Sequence, residues 1–308
     1  MANAPITSAA GSLGSSGLGS LLTYFGDRFL AVKRNRGRLL NYINTDASAQ
    51  VAQKGQTVNV PIAGTTSTSL LTDGNAVTLD DTGGTFSAVT LNKHRYAALS
   101  FTQIGEALSG NVTMQGILDQ RIADLLNDVE VDVASTATAG FTTNTVGSYN
   151  SDITEANLVS AISKLDIQKA PMPRVGFIHP GAHGWGAFIK VSNIVNSQYI
   201  GGATPLTNPE YGVHYWNGVN WIASQAVNQA SGTDSDSFIM NRDAIVFASR
   251  PLPAPMAPGV IAENMVVDGL AIQILLSFDG SKLADQMVIH CLYGFGAGEQ
   301  KYACQIKQ

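Results

Sequence analysis

His179 and His183 stand four residues apart in the run His179-Pro180-Gly181-Ala182-His183, the interval at which two imidazoles on one helix face can share a zinc ion. The run lacks the glutamate base of a metal-dependent hydrolase, and His179 precedes the helix expected to start at Pro180. His94, His214 and His290 are scattered, so metal-assisted hydrolysis is the remote reading and capping or packed histidines the favoured one. Asp80 and Asp81 could pair as acid and base, but the Gly/Thr-rich stretch around them predicts a loop tip whose solvated carboxylates keep ordinary pKa values. Asp234 and Asp236 have the spacing of a weak cation site in a Ser-rich loop, lack the further oxygen ligands of a calcium loop, and are expected to be solvated. Cys291 and Cys304 fall on two strands expected to be neighbours. Two cysteines exclude a disulfide framework or a four-cysteine metal site, and buried thiols are expected. Trp216 and Trp221 read as hairpin packing before a base-stacking platform. Gly294, Gly296 and Gly298 follow a strand with no helix after them and read as a structural turn, and no phosphate-loop, dinucleotide or nucleophile-elbow motif occurs. No catalytic group, cofactor or metal is expected, and the chain is not expected to be an enzyme.

Charge is the second chemistry on the chain. Arg28, Lys33, Arg34, Arg36 and Arg38 place five of the 18 basic residues within eleven positions, so that residues 27–38 carry +4 and the remainder −9. Such a run can neutralise phosphates or meet an acidic surface of a neighbouring subunit, and its bland alternative is a solvated helix face. Asp124, Asp128 and Asp132 recur at intervals of four, where like charges repel along a helix, which predicts a basic partner opposite and makes them a candidate inter-subunit stripe.

These groups must be held by a small set of elements. Residues 1–20 are Ala, Ser and Gly with a few Leu and predict a mobile arm; residues 21–43 turn helical. Residues 55–92 contain no Lys or Arg, and 17 of these 38 are Gly, Ser or Thr between two alternating flanks at 57–62 and 85–91, which predicts a long hairpin whose rest position is another subunit. Leu118, Ile122, Leu125, Val129 and Val133 form one apolar stripe and predict a helix over 114–134. Asp152 and Glu155 predict the cap of a second helix ending at Ala170, followed by a strand over 174–178 and a helix over 180–191. Asn217-Gly218 predicts a two-residue hairpin turn, and a second hairpin is expected around Asn241-Arg242-Asp243. Four of the 11 prolines, at 251, 253, 255 and 258, mark an extended connector; strands over 270–278, 286–294 and 302–306 follow.

Composition limits how such a chain can live. At 308 residues it approaches the size at which one core divides, so two lobes are expected. Its 44% hydrophobic content excludes disorder, and 13% charged residues is half the roughly 25% of ordinary soluble chains. Few charges remain to solvate a large surface, which predicts obligate assembly. The longest apolar stretch is broken at Gln273 and no membrane span is expected; the opening lacks the pattern of a secretory signal, so a cytosol-like folding compartment is expected.

The ordered set of a small-residue arm, Lys54-Gly55-Gln56-Thr57-Val58-Asn59-Val60-Pro61, a hairpin re-entering through Leu91-Asn92-Lys93-His94-Arg95-Tyr96, a long acidic helix, a strand ending in Ile178-His179-Pro180 and a terminal Tyr293-Gly294 strand resembles the tailed-bacteriophage major capsid proteins of the Hong Kong 97 fold, over roughly residues 30–308. The resemblance implies an α+β fold in which an N-terminal arm (1–54) leads to an extended β-hairpin E-loop (55–98). A peripheral domain (99–160 and 240–290) with a long spine helix and an axial α/β domain (161–239 and 291–308) complete it. It implies hexamers and pentamers of this chain tiling an icosahedral phage head around double-stranded DNA, assembled in the host cytoplasm. It also implies a portal and, with only about 50 residues ahead of the hairpin, a separate scaffolding protein. The crosslinking lysine of one such family member has no counterpart between Lys54 and Lys93. An encapsulin-like nanocompartment shell is the alternative reading of the same fold.

Overall fold

The computed structural model describes residues 27, 29–31, 38–45, 57–62, 70, 85–102, 111–191, 213–227, 229–231, 234–255, 260–267 and 269–308. Residues 1–26, Arg28, Lys33, Arg34, Arg36, Asp80 and Asp81 lie outside the described residues.

The apolar stripe read at 122–133 becomes the buried face of helix α1, Asn111–Gly140, about 45 Å long at 1.5 Å per residue. Ile122, Leu125, Val129 and Val133 are all buried, and Leu126 and Ala123 widen the stripe into a core face. The helix outruns its predicted end by six residues and stops at Gly140, after which Phe141 enters the core against Phe238 with ring centroids 5.9 Å apart.

That face packs on a five-stranded antiparallel sheet formed by β3 (Lys93–Thr102), β10 (Ile245–Arg250), β11 (Ile261–Val267), β12 (Leu270–Asp279) and β13 (Ala284–Ala297). The pairing registers make β13 the axis. One edge of it carries β3, and the other is shared between β12, along 284–291, and β10, along 292–297. The β12–β13 pair turns at Asp279-Gly280 as the sequence predicts, whereas β11 went unread because it follows the proline connector without a turn signal.

A second, seven-stranded mixed sheet runs in the order β4 (Thr145–Gly147), β14 (Ala303–Lys307), β9 (Asp234–Asn241), β5 (Arg174–Ile178), β7 (Val219–Ala223), β6 (Val213–Trp216), with β8 (Gln229–Ser231) on β9. Alternation divides its side chains. Val175, Phe177, Ile222, Phe238 and Met240 join the core beneath α1, while Ile178, Trp221, Ile239, Cys304 and Ile306 form a second core under α2 (Glu155–Ile167) and α3 (Trp185–Phe188). By sheet membership, β4 and α2 go with the second sheet and its core, and β13 runs to Ala297 in the first.

Several local expectations are corrected. Thr154, extended at φ −111°, caps α2 by accepting from the Asn157 amide at 3.3 Å, so the capping residue is two positions later than Asp152. Glycines at 181, 184 and 186 shorten the helix expected over 180–191 to a single turn. The hairpin expected around Asn241-Arg242-Asp243 is a crossing between sheets: β9 belongs to the second and β10 to the first. Asn241 holds the crossing by donating from Nδ2 to Pro171 and Pro173 carbonyls at 3.1 and 3.0 Å. Cys291 and Cys304 lie in different sheets and different cores, both as buried free thiols. The Asn217-Gly218 turn forms as read, with φ of 49° and 78° at its two residues.

Candidate functional site: the hairpin root and its grip on the body

The flanks of the Gly/Thr-rich stretch pair as a two-stranded antiparallel ribbon, β1 (Thr57–Ile62) and β2 (Thr85–Thr90), in a register running from Thr57↔Thr90 to Ile62↔Thr85. The tip lies outside the described residues. Val58, Val89 and Leu91 bury themselves against Val246, Ala248 and Leu292, on the face of the first sheet opposite α1. The root of the hairpin therefore rests on its own chain, where the sequence reading placed the whole ribbon on another subunit. The reason lies in two of the alternating glycines, which are not a turn but the last part of β13. A Cβ at Gly294 would stand 2.2 Å from the Thr90 carbonyl oxygen, and one at Gly296 would meet Ser87 and Val89 at 3.4 Å. Ser87 Oγ also donates to the Ala297 carbonyl at 2.7 Å. Glycine lets one strand lie flat across another.

Where the chain leaves the hairpin, β3 alternates Arg95, Ala97 and Leu99 toward α1. Arg95 donates from Nη2 to both oxygens of Asp132 at 3.1 and 3.0 Å and from Nε at 3.2 Å, and its Nη1 reaches Asp128 at 3.4 Å. Tyr293 on β13 donates its hydroxyl to Asp132 at 2.5 Å, and Lys93 Nζ stands 3.9 Å away. Hydrogen bonding to Asp132 raises the Arg95 pKa, and burial, then the same carboxylate, raises that of Tyr293. The basic partner expected opposite the acidic stripe thus belongs to the same chain: Asp132 and Asp128 are met by Arg95, which corrects their assignment to a neighbour. Asp124 remains exposed and accepts from Gln120 at 2.7 Å. Sequence reasoning missed Arg95, although the alternation of 95, 97 and 99 was a usable signal.

Arg38, the described member of the basic run, donates from Nη1 to the Ala223 carbonyl at 2.7 Å, at the end of β7. It lines a polar cleft of about 390 Å³ between α1 and the ends of β5 and β7, with Asp124, Glu130 and Ser224. Glu130, buried in α1, accepts the Leu39 and Leu40 amides at 2.7 and 3.1 Å, anchoring the 3-10 turn Leu40–Tyr42.

The other sequence candidates scatter. His179 accepts the Gly181 amide on Nδ1 at 3.1 Å, and burial lowers its pKa; His183 Nδ1 pairs with Asp152 at 2.6 Å. No group of three or more His, Cys, Asp or Glu is placed to hold a metal among the described residues. Asp236 is 1% exposed within β9 and accepts from the Tyr149 hydroxyl at 2.8 Å, which overturns its expected solvation; burial and that bond push the Tyr149 hydroxyl up to about 12. Trp221 is buried against Phe188 and donates Nε1 to the Trp216 carbonyl at 3.3 Å. Among the described residues no helix is long and apolar enough to cross a membrane. Exposed large apolar side chains include Phe86 on β2, Tyr96 (69% exposed) on β3, Val266 on β11 and Phe278 on β12, and, by the second sheet, Ile167, Met172 and Tyr215.

No protein-family profile matches the chain, and no curated protein matches it. Solved structures do. The capsid structure of the cyanophage P-SCSP1u is similar over 87% of this chain and 86% of its own, with a TM-score of 0.60 at 15% identity. A structure of Mycobacterium phage Che8 matches over 86% and 89% with a TM-score of 0.57 at 12% identity, and the capsid of an empty GTA particle over 86% and 90% with 0.50 at 13%. The chain has the fold of the tailed-phage major capsid proteins.

Proposed function

We propose that this chain, with its capsid fold, is the major coat protein of a phage head: it self-assembles as hexamers and pentamers into an icosahedral shell around double-stranded DNA. The observation that supports this most is the fold itself, matched along nearly the whole length of a capsid protein chain. Two features of the chain agree with it. At 13% charged residues, the exterior carries too little charge for a freely soluble monomer. The two-stranded hairpin β1–β2 has a root on the body, and an isolated ribbon of two strands needs a surface to lie on, which a neighbouring copy supplies.

In this reading α1 and the five-stranded sheet form the peripheral domain and the seven-stranded sheet with α2 and α3 the axial one. The segment Arg28, Lys33, Arg34, Arg36 and Arg38 faces DNA or an adjoining subunit, and Asp124 is the member of the acidic stripe left for a neighbour. A separate scaffolding protein and a portal are its assembly partners, the virion capsid its location, and it carries out no catalysis. Electron microscopy of the purified, expressed chain tests the proposal. Closed icosahedral particles with six-fold and five-fold capsomers are expected, and a persistent monomer at high concentration would refute it. Nuclease-protected DNA in particles from infected cells separates a phage head from a nanocompartment, whose particles would hold protein cargo.

A further inference from the structure

The start of β3 is gripped from both faces. On the side of α1 the grip is Arg95 on Asp132. On the opposite side His94 Nε2 lies 3.1 Å from His290 Nδ1, with the rings edge to face at 5.2 Å between centroids. The register explains the meeting: His94 pairs with Leu292 and Tyr96 with His290, so the two imidazoles are diagonal neighbours on one face of the sheet. His94 is open to solvent, whereas His290 is 7% exposed and its Nε2 is buried without a hydrogen-bond partner.

A nitrogen-to-nitrogen contact between imidazoles exists only while one of the facing nitrogens is unprotonated and accepts. A second proton turns it into two opposed donors and places two positive charges side by side. The surroundings offer that pair little relief. Across β13 from β3, Gln273 of β12 stands opposite His290 and Asn264 of β11 continues the row, and neither titrates. Tyr96 flanks the pair on β3, and β2 brings Ser87 and Val89 to the adjoining glycines. Arg250 of β10, in register with Leu292, adds a permanent cation one diagonal step away. Along β12 the carboxylate sharing this face is Asp279, at the far end of the strand.

We propose that His94 and His290 form a proton-operated latch: in its neutral form it ties the exit of the hairpin to β13, and when both rings are protonated it releases that face of β3. The Arg95–Asp132 grip on the other face contains no histidine, so the release is confined to the hairpin root. Burial, then the charge on His94, lowers the His290 pKa. The sign follows from linkage: the latch contributes its full stability above the ordinary histidine value of about 6.5, and loses it as pH falls from there toward the lowered folded-state value. The inference rests on the fold alone, so its failure would leave the shell reading standing.

Hydrogen–deuterium exchange on the full-length protein, in one assembly state, at about pH 7.5 and about pH 5.5 and corrected for intrinsic exchange rates, tests it. Peptides covering residues 85–98 are expected to lose protection at the lower pH, with peptides of 117–134 unchanged. His94→Gln and His290→Gln keep a hydrogen-bonding side chain without the titration; His290→Gln is expected to abolish the difference, and His94→Gln, which leaves His290 buried, to shrink it. Equal protection at both pH values, an equal rise across α1, or a His94→Gln protein that keeps the full response would overturn the latch. Should His290→Gln fail to fold, the exposed His94→Gln carries the test alone.

Discussion

Arg95 and Asp132 are joined side-on through three donated hydrogen bonds of 3.0 to 3.2 Å, which fixes the strand leaving the hairpin to the C-terminal half of α1. The bond is planar and charge-assisted, and Tyr293 closes the carboxylate from the third side. The root of the hairpin is therefore held on the body of its own chain.

Breaking this contact is expected to cost stability at the low end of the charge-assisted range. Arg95 is 42% exposed and so partly screened, while Asp132 at 14% is more enclosed. Asp132→Asn should lower the unfolding free energy of the unassembled subunit by about 1–3 kcal/mol in urea. Arg95→Lys should recover less than half of the loss caused by Arg95→Ala, because a single ammonium cannot reproduce the fork. Equal stability of the Arg95→Ala and wild-type subunits would show that the grip is ornamental.

Gly294 makes the sharpest steric demand. An alanine there places its Cβ against the backbone carbonyl of Thr90, which cannot swing aside as a side-chain end can. Gly294→Ala is expected to lift β2 off β13, costing about 1–3 kcal/mol as overpacking does, and to expose 85–92 to limited proteolysis while the second sheet stays protected. Assembly should fall with it. Unchanged cleavage and normal particles would contradict the packing of the hairpin root on the glycine strip.

Much of this architecture was legible because its signals are local and periodic. The stripe Ile122, Leu125, Val129, Val133 named the buried face of α1, and Asn217-Gly218 named its hairpin because φ > 0 at both positions admits few other residues. The failures share one physical cause, which is that periodicity is silent about which element comes to face a residue. β9 and β10 each alternate like hairpin partners, yet Asn241 ties one to Pro171 and Pro173 and sends the other to a different sheet. Gly294 and Gly296 look like a turn until β2 lies across them, and Asp236 looks solvated until Tyr149 covers it. The same gap hid the grip: the spacing of Asp124, Asp128 and Asp132 demanded a cation, the alternation of 95, 97 and 99 offered Arg95, and the long-range pairing of β3 with β13 is what brings the two together.

Glu130 is a carboxylate inside the core, and its Oε1 serves two backbone amides at once. Glu130→Ala strands those donors and is expected to cost about 1–3 kcal/mol and to loosen residues 38–43 in hydrogen exchange. Glu130→Gln keeps a carbonyl acceptor of the same reach and should recover part of the loss. If glutamine and alanine prove equally damaging, the charge of Glu130 matters more than the amides it accepts.

The two thiols supply a test of the division between cores. Burial pushes Cys291 up to about 12 and Cys304 up to about 11, so neither provides a reactive thiolate near neutrality, and Cys291 lies beneath α1 while Cys304 lies beneath α2. At about pH 8 a small thiol reagent is expected to modify neither in the folded chain and both in denaturant, since the unfolded value is about 8.5. At intermediate urea the order of labelling, read by mass spectrometry of the two peptides, reports which core opens first. The seven-stranded sheet has the parallel pairs β4–β14 and β5–β7 and the smaller core, so Cys304 should be labelled before Cys291. Simultaneous labelling at every urea concentration would mean that the two sheets unfold as one unit, and rapid labelling of either thiol without urea would contradict its burial.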